Sequence, residues 1–188
     1  MDIRPFRPDL LDDWIAFFDG PAFADNPDWR GCWCRAYRFR GDMEAWDAAC
    51  ASGENRGAMI EAVRAGTVQG CLAYDGGRAV GWVQFGPRER FKGPYLGDPV
   101  PGLGAIVCFV VAATHRRRGV ARALSRGACA AMARAGLTVV EACPLRDEAA
   151  GPACEQFHGP RALYLSEGFS VHRDWKQFTV VRKLLAAP

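Results

Sequence analysis

The residues best suited to chemistry stand together at 116–121, in the string Arg116-Arg117-Arg118-Gly119-Val120-Ala121. They follow a nine-residue apolar run, AIVCFVVAA at 105–113, and open a helical pattern. A helix start presents unpaired N–H groups and the positive end of the helix dipole, and the two together hold phosphate. Gly119 permits close backbone approach, and Ala121 is small enough for the chain to lie against a ligand. Three arginines at the same spot add charge. The chemistry expected is the binding of an anion of limited size. The plain alternative is a solvated basic start to an ordinary strand–helix unit.

The elements that must position this string can be read on both sides of it. The apolar run is rich in β-branched residues and reads as a central strand buried on both faces. After it, Val120, Ala123, Leu124, Gly127, Ala128, Ala131, Met132 and Ala135 recur at helical spacing. Arg118, Arg122, Arg126 and Arg134 lie off that stripe, and Gly136 stops the helix. Residues 137–142 read as another buried strand, ended by Pro144. Upstream, 2–7 reads as a strand, 8–18 as a helix and 43–65 as a helix interrupted near Ser52-Gly53. Residues 68–74 and 79–85 flank Asp75-Gly76-Gly77-Arg78 and make a hairpin. Residues 159–167 read as a short helix, and 169–174 with 177–185 as a last hairpin. Two long segments, 20–40 and 86–104, read as loops, and loops of that length usually carry function. The order β, α, α, β, β, β, α, β, α, β, β implies an α/β fold, a central mixed sheet of about six to seven strands flanked by helices.

Length and composition bound the rest. The chain has 188 residues, within the range of about 100–200 residues expected of a single domain. Hydrophobic residues make up 49% and charged residues 24%, values that exclude disorder. No apolar run approaches the roughly 20 residues of a membrane span. The N-terminus lacks a basic stretch followed by an apolar one, so a cytoplasmic location is expected. A net charge of +3 does not by itself suggest nucleic acid. Its distribution says more: residues 99–140 hold six arginines and no acid, whereas the first sixty residues hold eleven acids and seven arginines. Of the eight cysteines, Cys32 and Cys34 form a C-x-C pair that no spacing completes as a zinc set, so no metal is expected. Cys108, Cys129 and Cys143 lie in apolar runs and read as small buried hydrophobes.

The full string FVVAATHRRRGVARAL resembles the acetyl-coenzyme A signature of the GNAT N-acetyltransferase superfamily, R/Q-x-x-G-x-G/A, placed after the last valine of the central strand, here Val111. A second stretch, Ala162-Leu163-Tyr164-Leu165-Ser166-Glu167-Gly168-Phe169, is similar to the family's A-x-x-Y-x-x-x-G-F, and the closing VVRKLL resembles its last strand. The resemblance covers roughly residues 65–185, the expected cofactor core. Residues 1–64 match only in their strand–helix–helix order, where this superfamily sets acceptor choice. Ala112-Ala113 replaces the usual acidic-proline pair, and Ala121 the more common final glycine.

The resemblance implies direct transfer of an acetyl group from acetyl-coenzyme A to a primary amine of a small molecule or protein. Backbone groups of Phe109 and Val111 would pair with pantetheine, Arg116, Arg117, Arg118, Gly119, Val120 and Ala121 would hold the pyrophosphate, and an N–H near Val110 or Val111 would polarise the thioester. Tyr164 would protonate the leaving thiolate, against the plain role of a core tyrosine with a bonded hydroxyl. Glu141, at the end of the neighbouring strand, is the expected base acting through water. Glu89, Asp98, His115 and His158 are weaker site candidates. Trp29, Trp33, Tyr37 and Phe39 either line the acceptor cleft or anchor the early loop, whose Asp19, Asp25 and Asp28 would draw a cationic acceptor. The partners expected are acetyl-coenzyme A and an amine, with no nucleic acid and no membrane, and with monomer and homodimer both open. A non-catalytic acyl-coenzyme A binding module is the alternative, and an arginine-led nucleic-acid binder a third reading.

Overall fold

The structure, a computed structural model, describes every residue except 94–97, 99, 187 and 188. Its strands are β1 (Asp2–Pro5), β2 (Gly70–Asp75), β3 (Arg78–Pro87), β4 (Leu103–Val111), β5 (Val139–Ala142), β6 (Ser170–Trp175) and β7 (Phe178–Leu184). They form one seven-stranded sheet in the order β1-β2-β3-β4-β5-β7-β6. Only β4 and β5 run parallel. The helix between them, α4 (Val120–Arg134), is the crossover that a parallel pair requires. The hairpin turn has φ 55° at Gly76 and 76° at Gly77, the positive values that match a two-residue turn to strand twist.

Two layers cover the sheet. On one face, α1 (Leu11–Asp19) and α3 (Glu54–Arg64) bury Trp14, Phe18 and Met59 against Leu72, Trp82 and Val107. On the other, α4 and the short α5 (Arg161–Ser166) bury Leu124, Met132 and Tyr164 against Val83, Ile106 and Phe109. The remaining helix, α2 (Met43–Ser52), is separated from α3 by Gly53 at φ 78°, the interruption expected at Ser52-Gly53. The early loop folds as a chain of 3-10 turns. Within it Trp33 and Cys34 take left-handed φ of 48° and 52°. This turns Cys34 inward, to 2.8 Å from the Cys108 sulfur in the core, and burial pushes its thiol well up. All eight cysteines are free.

Three boundaries shift for local reasons. The first helix is preceded by a 3-10 turn at Pro8–Leu10, because proline at its start leaves no early N–H to bond. The central strand begins at Leu103, where Gly102 at φ 77° turns the chain into the sheet. The short helix starts at Arg161, since Gly159 at φ 77° cannot be helical and Pro160 is extended.

The middle of β4 carries the irregularity that opens the site. Gln84 of β3 pairs with Cys108 but Phe85 pairs with Ile106, so Val107 is an extra residue, a β-bulge. Val107 and Cys108 consequently pack into the same layer, while Ile106 and Phe109 face the other. Parallel pairing with β5 ends at Ile106–Ala142, and β4 continues to Val111 without it.

The helix α4 sits close on the sheet because two facing positions lack side chains. A Cβ on Gly81 would lie 2.9 Å from Val120 and 3.2 Å from Leu124, and one on Gly104 would lie 2.5 Å from the Met132 sulfur. Gly81 thereby fixes the height of the first turn of α4 above β3. Gly81→Leu is expected to destabilise the protein by about 1–3 kcal/mol, as overpacking does. Chemical denaturation checks this, and an unchanged midpoint would mean that the helix start has slack.

Candidate active site

The turn between β4 and α4 is built for an external anion. Arg117 and Gly119 both have positive φ, 60° and 80°. Gly119 is the N-cap of α4, no side chain caps that end, and no acid stands in its first turn. A Cβ on Gly119 would meet nothing within 4 Å. The unpaired N–H groups of the 15-residue helix therefore face open space. That space is a cavity of about 720 Å³, bounded by the α4 turn, the end of β4, the start of α5 and the early loop at Phe23, Asn26 and Trp29. His115, Arg116, Arg117 and Arg122 line it, and no carboxylate does among the described residues.

The arginines are not equally available. Arg116 forks onto Asp25 of the early loop, with Nη2 donating to Oδ1 at 2.9 Å, and its Nε donates to the Val111 carbonyl at 3.1 Å. The guanidinium holds the Asp25 carboxyl below its ordinary range. Arg118 and His115 each approach Asp75 at 3.4 Å. Arg122 and Arg126 share Glu167 at 3.2 and 2.6 Å. Arg117 makes no ion pair among the described residues. The free charge at the turn is thus smaller than six clustered arginines suggest. The acids expected to draw a cationic acceptor are engaged too: Asp25 by Arg116 and Asp19 by Arg56 at 2.9 Å, while Asp28 is exposed. The early segment meets the basic turn only through the Arg116–Asp25 pair; the other arginines are met by Asp75 and Glu167, and Asp19 by Arg56 of α3.

Strand alternation decides which N–H groups meet the cavity. Ala112 donates to Val80 of β3 at 3.0 Å, and Val110 pairs with Trp82 in the same sense. The Val110 N–H therefore faces β3, which corrects its place as a thioester donor. The N–H groups of Phe109 and Val111 face the edge that β5 leaves. The Phe109 N–H donates to the Phe157 carbonyl at 2.6 Å.

Tyr164 lies behind that contact. Its ring is fully buried, its O–H donates to the His158 carbonyl at 2.7 Å, and burial pushes the hydroxyl well up. Gly159 separates it from Phe109: a Cβ there would lie 3.3 Å from the Tyr164 hydroxyl and 3.4 Å from the Phe109 ring. Leu163 and Ser166, its neighbours on α5, reach the cavity wall. The His158 ring is also buried, with the Tyr37 hydroxyl 3.1 Å from Nε2. Burial lowers its pKa to about 3, so the imidazole is neutral at pH 7.

Glu141 requires correction. It is wholly buried on β5, outside the cavity lining, and Arg182 of β7 donates to its Oε2 from both Nε and Nη2 at 2.9 Å. Its register partner on β4 is Ala105, two positions before the bulge, so the carboxylate falls short of the open edge. The pair anchors β7 to β5. Glu89 and Asp98 are exposed. Of the early aromatics, Trp29 lines the cavity, Trp33 and Tyr37 are core, and Phe39 packs edge-on against Trp46 at 5.2 Å. Sequence reasoning missed the carbonyls of Phe157 and His158, since backbone contacts leave no residue type to read. The one available signal was the pair of Gly-Pro steps at 151–152 and 159–160.

Comparison with known proteins agrees with this fold. The sequence matches the Acetyltransferase (GNAT) family over residues 23–159. No curated protein sequence matches it. Among solved structures, the PaiA N-acetyltransferase of Thermoplasma acidophilum in complex with coenzyme A is similar over 98% of this chain and 99% of its own, with TM-score 0.58 at 12% identity. YncA of Salmonella typhimurium, solved with its cofactor acetyl-CoA, is similar over 98% and 94%, with TM-score 0.57 at 18% identity. An aminoglycoside 6'-acetyltransferase type Ii covers 100% and 99%, with TM-score 0.60 at 13% identity. These likenesses are of fold, a mixed sheet flanked by helices. The family match spans most of the chain, and the chain belongs to the GNAT acetyltransferase family.

Proposed function

We propose that the protein transfers an acetyl group from acetyl-coenzyme A to a primary amine of a small molecule or protein. One observation carries the reading: the uncapped start of α4 opens into a cavity of about 720 Å³ that runs along the unpaired edge of β4. The fit is specific. The space above Gly119 is open, so a diphosphate can rest on the N–H groups of the turn, with Arg117 free to approach it. The Val111 N–H points where a pantetheine chain would pair as an added strand, and the Phe109 N–H meets the same edge nearer the bulge, where the thioester carbonyl would lie.

Acetyl-coenzyme A supplies the acyl group as a thioester. The chain supplies orientation and two donors. An edge N–H of β4 polarises the carbonyl and stabilises the negative charge that develops on its oxygen. The acceptor nitrogen forms the new C–N bond, the C–S bond breaks, and the Tyr164 O–H delivers its proton to the sulfur. No carboxylate lines the cavity among the described residues, so the proton lost by the amine leaves to water, and Tyr164 regains its own from water before the next turnover. Acetyl-coenzyme A and the amine are the partners of this reaction, without nucleic acid, and no described helix is long and apolar enough to cross a membrane. A second reading, a non-catalytic acyl-coenzyme A binding module, is favoured by the carbonyls already bonded to Phe109 and Tyr164. Turnover with a panel of amines separates the two.

Three outcomes are expected. Gly119→Asp puts a negative side chain over the α4 turn and should weaken coenzyme A binding at least tenfold, or about 1.4 kcal/mol, by calorimetry. Wild-type affinity in a folded variant would place the diphosphate elsewhere. Tyr164→Phe keeps the ring and should lower kcat by roughly 10²–10⁴-fold with little change in coenzyme A affinity. An unchanged kcat, with chemistry shown to be rate-limiting, would return Tyr164 to a packing role. Finally, kcat/KM for the acceptor should rise about tenfold per pH unit up to the acceptor's own pKa, because only the neutral amine attacks. The same plateau for amines of different pKa would reveal a base on the protein.

A further inference from the structure

A buried donor needs an acceptor whether or not a ligand is present. The two donors of the acyl site meet theirs in adjacent residues. The Phe157 carbonyl takes the Phe109 N–H at 2.6 Å, and the His158 carbonyl takes the Tyr164 O–H at 2.7 Å. We propose that residues 151–160 form a displaceable cap, whose consecutive carbonyls stand in at rest for the thioester oxygen and the leaving sulfur. The proposal rests on the acetyltransferase reading above and adds a step to it: the cap lifts when acyl-coenzyme A binds.

The segment is made for such a movement. Gly151-Pro152 and Gly159-Pro160 bracket it, Gly159 has φ 77°, and no helix or strand forms within it. Because the two carbonyls are on neighbouring residues, one displacement frees both donors. An acyl thioester offers the Phe109 N–H a carbonyl like the one it leaves, and offers the Tyr164 O–H a sulfur that becomes a strong acceptor only as the C–S bond breaks. The cap is otherwise held by the early loop and by β7, whose Phe178 ring lies 5.2 Å from the His158 ring. The Phe157 ring meets Trp29 edge-on at 5.3 Å, and the His158 ring lies 3.1 Å from the Tyr37 hydroxyl. The acceptor side of the molecule thus senses whether the cap is down, and the cofactor binds before the amine can be attacked.

A cap that must lift reduces apparent affinity by the fraction of molecules in which it is already open. Weakening its anchors should therefore tighten binding. The experiment uses the full chain with acetyl-coenzyme A as probe, without an acceptor amine. Phe157→Ala should lower the calorimetric Kd for acetyl-coenzyme A by about three- to tenfold. Tyr37→Phe, which keeps its ring and the fold should Phe157→Ala prove unstable, should shift it the same way. In wild type, saturation with acetyl-coenzyme A should speed hydrogen exchange in peptides spanning 151–160. The amides of Glu155 and Gly159, now donating at 2.9 Å to Pro152 and Gln156, are the reporters. If acetyl-coenzyme A binds but exchange there slows or stays the same, and both variants bind no tighter, the segment is a fixed wall; the cap is overturned and the acetyltransferase reading stands. If acetyl-coenzyme A does not bind, both fall together.

Discussion

The structure turns on one extra residue. Val107 bulges β4 against β3, and from that point β4 and β5 no longer pair. A strand edge in the middle of a seven-stranded sheet is a row of donors and acceptors without neighbours, which water would fill unless something of strand-like shape lay there. Everything around the cavity answers to that gap. The crossover helix begins beside it, the short helix α5 closes its far side, and the early loop reaches over it. Pro144, just past the end of β5, keeps that strand from following β4 across the gap.

Charge plays a smaller part than the run of arginines suggests. Four of the six, at 116, 118, 122 and 126, face carboxylates of the same chain. What remains for an anion is chiefly backbone: the unpaired N–H groups of α4 and the left-handed turn that aims them. This suits a ligand recognised by shape along its length rather than by bulk charge, and it fits poorly with an extended nucleic-acid backbone, which would need several free cations in a row.

Much of this was legible in the sequence. The nine apolar residues before the arginines, the helical stripe after them, the Asp-Gly turn and the break at Gly53 are local signals, and each element formed where its own residues direct it. The bulge was not legible from period or propensity, because Val107 looks like every other valine of its strand. Tyr164 was found by its place before Gly168-Phe169, yet its bonding to the His158 carbonyl depends on a backbone conformation that side-chain types do not encode. Glu141 misled for a related reason. Its position at the end of a strand suggested exposure, but Arg182 comes from a hairpin more than forty residues on, and only the sheet order brings the two together. The same limit hid the Asp25–Arg116 pair, whose partners lie 91 residues apart.

That last pair has a consequence for how the molecule responds to its medium. It joins the early loop to the basic turn across the cavity mouth, with Asp25 36% and Arg116 21% exposed at their side chains. Ion pairs this wet contribute about 0–1 kcal/mol, and added salt erodes them over a screening length near 8 Å at physiological ionic strength. The backbone geometry of β4 and α4 has no such sensitivity. Both walls of the cavity are packed, the early loop through Phe23, Trp33 and Cys34, but the early loop adds an ion pair whose strength follows the ionic strength of its surroundings. That ion pair, and not the packing beneath it, is what the electrolyte around the protein can loosen.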